Sequence, residues 1–428
     1  MNGARSLIEK RVDVLLWAVI IVAACVHMAV PFYDNPMHHL VSDMDRHFGG
    51  ALILDDDQPM SILDPVGYQF CLGSILRVAR WSDPMIAFYC GLLSTFTPFA
   101  WYLWLKECLP SSRLALIGYA LISILPAWIM LYSYFMPETV LLPATALALW
   151  LTWKTSRHPD VKHNIFTALS WGAASCIKAS VMPLAVCSMI WLLARKTAQP
   201  ARRRVLILIA VFVCFSFMYL QGPIKIYTRS HAVVLMPPGD FIRLGFEGAG
   251  RVHEITLKML LAKDGFSRPH EYHLNFVSPS VGIPTFFPFS SWTGTRSGTF
   301  NDTIDYTQPP SNYYQKVAMT FPTRLRMTAE NIAYFFFAPQ WPQEDLISER
   351  SQLLAVVRWL WFPLTLATIF LSCRKRSVNA LLIIFWLYTL SLMFQQFNIM
   401  EGRYRAPWEG VAIGAALSVM ALPKRSRS

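Results

Sequence analysis

Apolar residues in this chain come in long blocks separated by short polar gaps. A membrane-crossing helix needs about 20 mostly apolar residues. Blocks of this kind recur near residues 14–31, 84–105, 114–132, 137–153, 165–177, 181–194, 205–220, 353–371, 378–397 and 407–422. The pattern predicts an all-α polytopic membrane protein with about ten transmembrane helices, the fifth and sixth forming a hairpin that turns outside at Lys178. Residues 62–78 are also apolar, but Asp64-Pro65 and Gly67 interrupt the run and Arg77 and Arg80 close it. A crossing there would also reverse the side of every later gap. It therefore predicts one or two helices lying along the outer interface, within a first outer loop spanning 32–83. Residues 221–351 are the one long hydrophilic stretch. Its short apolar runs at 283–289 and 332–338 predict a lid on the outer membrane face. Three regions result: a transmembrane module at 1–220 carrying the first outer loop, the loop at 221–351, and C-terminal transmembrane helices at 352–428.

Charge fixes the orientation. Of 428 residues, 54% are hydrophobic, 14% aromatic and only 15% charged, against about 25% charged in soluble domains. The net charge of +12 is concentrated in gaps between blocks: Lys106/Arg113, Lys154/Arg157/Lys162, Arg195/Lys196/Arg202/Arg203/Arg204, Arg374/Lys375/Arg376 and Lys424/Arg425/Arg427. Residues 34–83, in contrast, hold eight acids and three bases. This is the positive-inside pattern. It places both termini in the cytoplasm and excludes a nucleic-acid footprint. The eight cysteines form no CxxC pair and no metal-ligand spacing, so they predict small buried hydrophobes. Val22-Ala-Ala-Cys25 resembles a lipoprotein cleavage box, but such short strings arise by chance in apolar runs, and the first span is expected to stay as the anchor of the adjacent loop.

Ionisable groups at membrane depth are costly and point to function. Lys178 stands alone in the apolar turn 173–184, where it either snorkels or pairs with a lipid phosphate. At the outer entrance to the last span lies Glu401-Gly-Arg403-Tyr404-Arg-Ala-Pro-Trp-Glu409. Arg403 offers a planar fork suited to phosphate oxygens, and an interfacial Arg/Tyr/Trp anchor reads the same residues equally well. Glu138, behind Pro137, suits either an ordinary helix start or a substrate contact. Asp43 and Asp45 sit directly after the first span, opposite these cations. Nearby His38, His39 and His47 have no metal-ligand spacing.

In order and spacing these residues resemble the GT-C superfamily of membrane glycosyltransferases. More narrowly they resemble family 39, which holds protein O-mannosyltransferases and lipid A aminoarabinose transferases. The matching residues are Asp43-Met-Asp45, Asp64-Pro-Val-Gly-Tyr68, Pro137-Glu138, Ala174-Ser-Cys-Ile-Lys178 and Arg403-Tyr-Arg-Ala-Pro407, covering roughly 10–225 and 398–410. The resemblance implies transfer of a sugar from a polyprenyl-phosphate donor to an acceptor hydroxyl of a glycan, glycolipid or protein, on the outer face of a bacterial inner membrane. A carboxylate serves as general base and the leaving lipid phosphate is met by Lys178 and Arg403; a single displacement inverts the anomeric centre. Glu138, Arg46, Tyr68, Tyr404 and Glu401 are the further substrate-binding candidates. No cofactor is implied, and use of a divalent metal is left open. Asp43 is favoured over Asp45 as the base, because Arg46 beside Asp45 holds that carboxyl down if the two pair. An O-antigen ligase or polymerase, which relies on a large late outer loop, is one alternative. A transporter or flippase is another, but the repeats and broken helices of that class are not evident in the sequence.

Overall fold

The computed structural model describes residues 2–40, 43–52, 66–158, 160–194, 201–221, 224, 270–275, 299–304, 335–336, 360–375, 379–393 and 405–421. Helices dominate. In chain order they are α1 (Asn2–Tyr33), α2 (Asp43–Leu52), α3 (Val66–Val78), α4 (Asp83–Cys108), α5 (Ser112–Ser123), α6 (Pro126–Met130), α7 (Pro137–Arg157), α8 (Val161–Ile177), α9 (Met182–Ala194) and α10 (Ala201–Tyr219), then α11 (Trp361–Lys375), α12 (Ala380–Met393) and α13 (Ala406–Ala421). Within the hydrophilic stretch, β1 (His270–Asn275) pairs antiparallel with β2 (Thr299–Ile304), His270 opposite Ile304.

Among the described residues, Arg11–His38 and Asp83–Cys108 are each long and apolar enough to cross a membrane. The bent pair α5–α6 makes a third if it is one span, and Met182–Leu192, Val205–Tyr219, Ala380–Leu392 and Ala406–Ala421 are shorter apolar helices. The outward faces of α1 and α10 carry exposed Leu15, Ile21, Val22, Leu206, Phe212 and Phe217. So large an uncovered apolar surface suits contact with lipid.

Helices α4, α7 and α8 pack side by side, with α1 on α4 and α10 on α8. Tryptophans fill the centre: Trp101 lies 5.4 Å from Trp104 and 5.5 Å from Trp128, and Trp104 lies 5.9 Å from Trp153, ring centroid to centroid. The Trp101 indole N–H is satisfied by the Leu142 carbonyl at 3.1 Å, tying α4 to α7. Helix α13 packs against this core, and a Cβ at Gly410 would collide with the Trp101 ring. A small residue is the condition for that approach.

Two expectations are corrected or sharpened. The third block is not one straight helix: α5 and α6 meet at 55° across Ile124–Leu125. Pro126 cannot donate to the preceding turn and disfavours helical geometry at Leu125, so the chain breaks there. The carbonyl of Ser123, at the end of α5, is taken up by His27 of α1 at 3.0 Å. A carbonyl only accepts, so Nε2 carries the proton and Nδ1 accepts from the Ser94 hydroxyl at 2.6 Å. The sequence-based statement that broken helices are lacking was therefore wrong for this span. The 62–78 segment, in contrast, holds the 13-residue α3, about 20 Å long at 1.5 Å per residue and too short to cross.

Candidate functional site

The site is assembled where α2, α3, the start of α7 and the end of α8 meet. Helix α2 buries Met44, His47 and Ala51 and sets Phe48 against Phe135 in a stacked pair, centroids 5.7 Å apart. Positions 44, 47, 48 and 51 form one stripe of an amphipathic helix. The edge of Trp81 also meets Phe48 at 6.1 Å. That ring is delivered by a tight turn in which Arg80 and Trp81 adopt φ of 50° and 59°, a left-handed step that is uncommon away from glycine. On the neighbouring edge of α2, His47 stands edge-on to Tyr68 of α3 at 5.2 Å. Asp43, Asp45 and Arg46 occupy the first turn of α2. Asp43 precedes His47 by one turn of α2. Asp45 and Arg46 fall on other sectors of the same turn.

Tyr68 is buried beneath this edge. Its phenol is hydrogen-bonded to the Thr139 hydroxyl, which itself donates to the Met136 carbonyl at 2.7 Å. Burial pushes the Tyr68 phenol well above its ordinary range, and the carboxyl of Glu138 adds to the shift. Tyr68 is therefore a neutral hydroxyl at any physiological pH. One residue before it, Gly67 lies against the α8 backbone: a Cβ there would come within 2.8 Å of the Ile177 nitrogen. Only glycine permits α3 to sit directly on the turn that carries Lys178.

Lys178 caps α8, its N–H returning to the Ala174 carbonyl at 3.0 Å. Its ammonium donates to Glu138 Oε1 at 2.6 Å. Both side chains are buried, 6% and 1% exposed. Glu138 sits in the first turn of α7 behind Pro137, and the buried stretch Ser133–Tyr134–Phe135–Met136 leads into it. Glu138 thus stands at the helix start and also holds a cation 40 residues away in sequence. Lys178 is not the snorkelling lysine of the sequence alternative. It is a fixed, internally paired charge.

Arg403, Glu401 and Tyr404 lie outside the described residues, as does Asp64. Two residues further on, the structure shows what sequence reasoning missed. Arg405 and Glu409, each 1% exposed, form an ion pair at the entrance to α13, Nε to Oε1 at 3.1 Å. The Trp128 indole donates to Glu409 Oε2 at 2.9 Å, and Arg405 Nη1 donates to the Phe335 carbonyl at 2.5 Å. The signal was present as an i,i+4 Arg/Glu pair opening an apolar helix. The histidines of the first loop are engaged separately: His39 with Asp34 at 2.7 Å and with the Tyr134 ring, His47 with Tyr68. Among the described residues no group of three or more His, Cys, Asp or Glu stands together as a metal site.

A buried phenol on α3 and a buried lysine–glutamate pair lie close together beside α2, the helix that starts at Asp43. Such an arrangement can orient a hydroxylated substrate and balance charge that develops beside it. No curated protein matches the chain. Residues 64–220 match the family model described as dolichyl-phosphate-mannose-protein mannosyltransferase. The matched segment holds Tyr68, Glu138 and Lys178 and begins after Asp43–Asp45. The match over residues 64–220 is thus to a family of the GT-C superfamily of glycosyltransferases.

Proposed function

We propose that the protein transfers a sugar from a polyprenyl-phosphate-linked donor to an acceptor hydroxyl at the extracytoplasmic face of the membrane. The observation that carries this reading is the buried Lys178–Glu138 pair abutting Tyr68 below the helix that starts at Asp43. Asp43 takes the proton from the acceptor hydroxyl. The oxygen so activated attacks the anomeric carbon as the C1–O bond to the lipid phosphate breaks, with inversion. Lys178, together with Arg403, meets the negative charge gathering on the leaving phosphate. Glu138 fixes the ammonium in place before substrate arrives, so little reorganisation is needed in the transition state. Asp45 and Arg46 follow in the same helical turn and orient substrate, as do Tyr404 and Glu401 at the entrance to the last helix.

This reading takes ten spans, both termini in the cytoplasm, and the first loop and 221–351 outside. The basic residues between helices support it, for example Lys154 and Arg157 in the last turn of α7. Comparing envelope glycans, glycolipids and glycoproteins by mass spectrometry, with and without the gene, is the first test. One defined sugar should disappear from one acceptor class. An unchanged set of glycoconjugates would remove the proposal.

A further inference from the structure

The Arg405–Glu409 pair lies outside the cluster around Lys178, and burying it is costly. Two charges removed from water are rarely a net gain over apolar residues of similar volume. The surroundings here would suit apolar residues well: Trp408 is fully buried and rings with Phe335 at 4.9 Å, Trp361 at 5.8 Å and Phe385 at 5.8 Å. Stability alone does not account for a carboxylate and a guanidinium in that place.

The connections of the pair point to another role. Glu409 ties α13 to α6 through Trp128. Helix α6 runs into the 3-10 turn Leu131–Ser133 and then into Phe135, which stacks on Phe48 of α2, three residues before Glu138. Arg405 ties the same corner to the Phe335 carbonyl. One network therefore joins α13 and α6 to the connection that packs on α2 and delivers Glu138.

We propose that Glu409 and Arg405, with Trp128, are positioning residues that hold the 131–136 connection, and with it Glu138, in place against α2. They act through α6 and the 131–136 connection. This rests on the sugar-transfer reading for its activity readout. A misplacement of about 1 Å can cost about 10²-fold in rate, whereas an apolar replacement of the whole network is close to neutral for folding.

The test is the triple variant Trp128→Phe/Arg405→Met/Glu409→Leu, which removes both charges and the indole N–H together and leaves only the Phe335 carbonyl without its Arg405 donor. It should unfold near the wild-type midpoint and bind donor within about threefold, while kcat for transfer falls at least about tenfold. Wild-type kcat in a stable triple variant overturns the proposal. If the triple variant does not fold, Trp128→Phe carries the test, since it removes one N–H and keeps an aromatic ring. Lower kcat per folded molecule at unchanged stability supports positioning. Transfer lost only in proportion to folded protein overturns it. If the wild-type protein transfers no sugar, the reading of function has failed, and hydrogen exchange decides the network by itself. Amides of 131–139 must exchange faster in Trp128→Phe while those of α10 do not change; unchanged exchange at 131–139 overturns the proposal.

Discussion

Replacing Glu138 by glutamine changes one atom and removes one charge. The side chain keeps its shape, so the packing of Pro137, Thr139 and Tyr68 around it is retained. The Lys178 ammonium, 6% exposed, then stands inside the protein without its carboxylate 2.6 Å away. At that distance the gross attraction is about 6 kcal/mol for an effective dielectric of about 20, most of it offset by the desolvation of both ions. The net loss on breaking a buried pair from one side is about 3–5 kcal/mol, because a charge is left uncompensated. Glu138→Gln and Lys178→Met should each destabilise the protein by about that amount in reversible unfolding from mixed micelles. The double variant Glu138→Gln/Lys178→Met should recover most of the loss, since no charge is left buried, yet transfer no sugar. The coupling energy from this double-mutant cycle is the quantity to report. If Glu138→Gln unfolds within about 0.5 kcal/mol of wild type, below the range for a buried pair, the ion pair is not the closed contact described above.

Three further outcomes follow from the same geometry. Lys178→Ala and Arg403→Ala should each weaken binding of polyprenyl-phosphate sugar while leaving the acceptor KM near wild type; unchanged donor affinity in both would withdraw the phosphate assignment. His27→Ala strands the Ser123 carbonyl and the Ser94 hydroxyl in an apolar interior, at about 1–3 kcal/mol for each unsatisfied group, and should raise hydrogen exchange around 120–126; equal exchange there means the α5–α6 break is held by something else. A single cysteine at position 300 in a cysteine-free protein should react with a membrane-impermeant maleimide added outside intact cells, and labelling only after lysis would reverse the topology.

Much of the architecture could be read from the sequence because it depends on local pattern. The helix at 66–78 and the turn at Lys178 follow from where apolar runs stop, and Asp64-Pro65 and Gly67 argued against a membrane crossing at 62–78 before any contact was known. The break before Pro126 was also signalled locally, but an apolar run of ordinary span length outweighed one proline. What could not be read was partnership. Glu138 and Lys178 are bridged by an entire helical hairpin, and nothing in either neighbourhood names the other. His27 and Ser123 are likewise 96 residues apart. Arg405 was passed over because Arg403 carries the family-like Arg-Tyr-x-x-Pro spacing, although Glu409 lies one helical turn beyond Arg405 and not beyond Arg403.

The central claim is tested most directly by sugar transfer from a purified, labelled polyprenyl-phosphate donor in proteoliposomes, comparing wild type with Asp43→Asn and Asp45→Asn at equal folded protein. Asp43→Asn should bind donor normally and transfer at least about 100-fold more slowly, the usual lower scale for loss of a general base, with Asp45→Asn less impaired. Near-normal transfer by well-folded Asp43→Asn would contradict the mechanism.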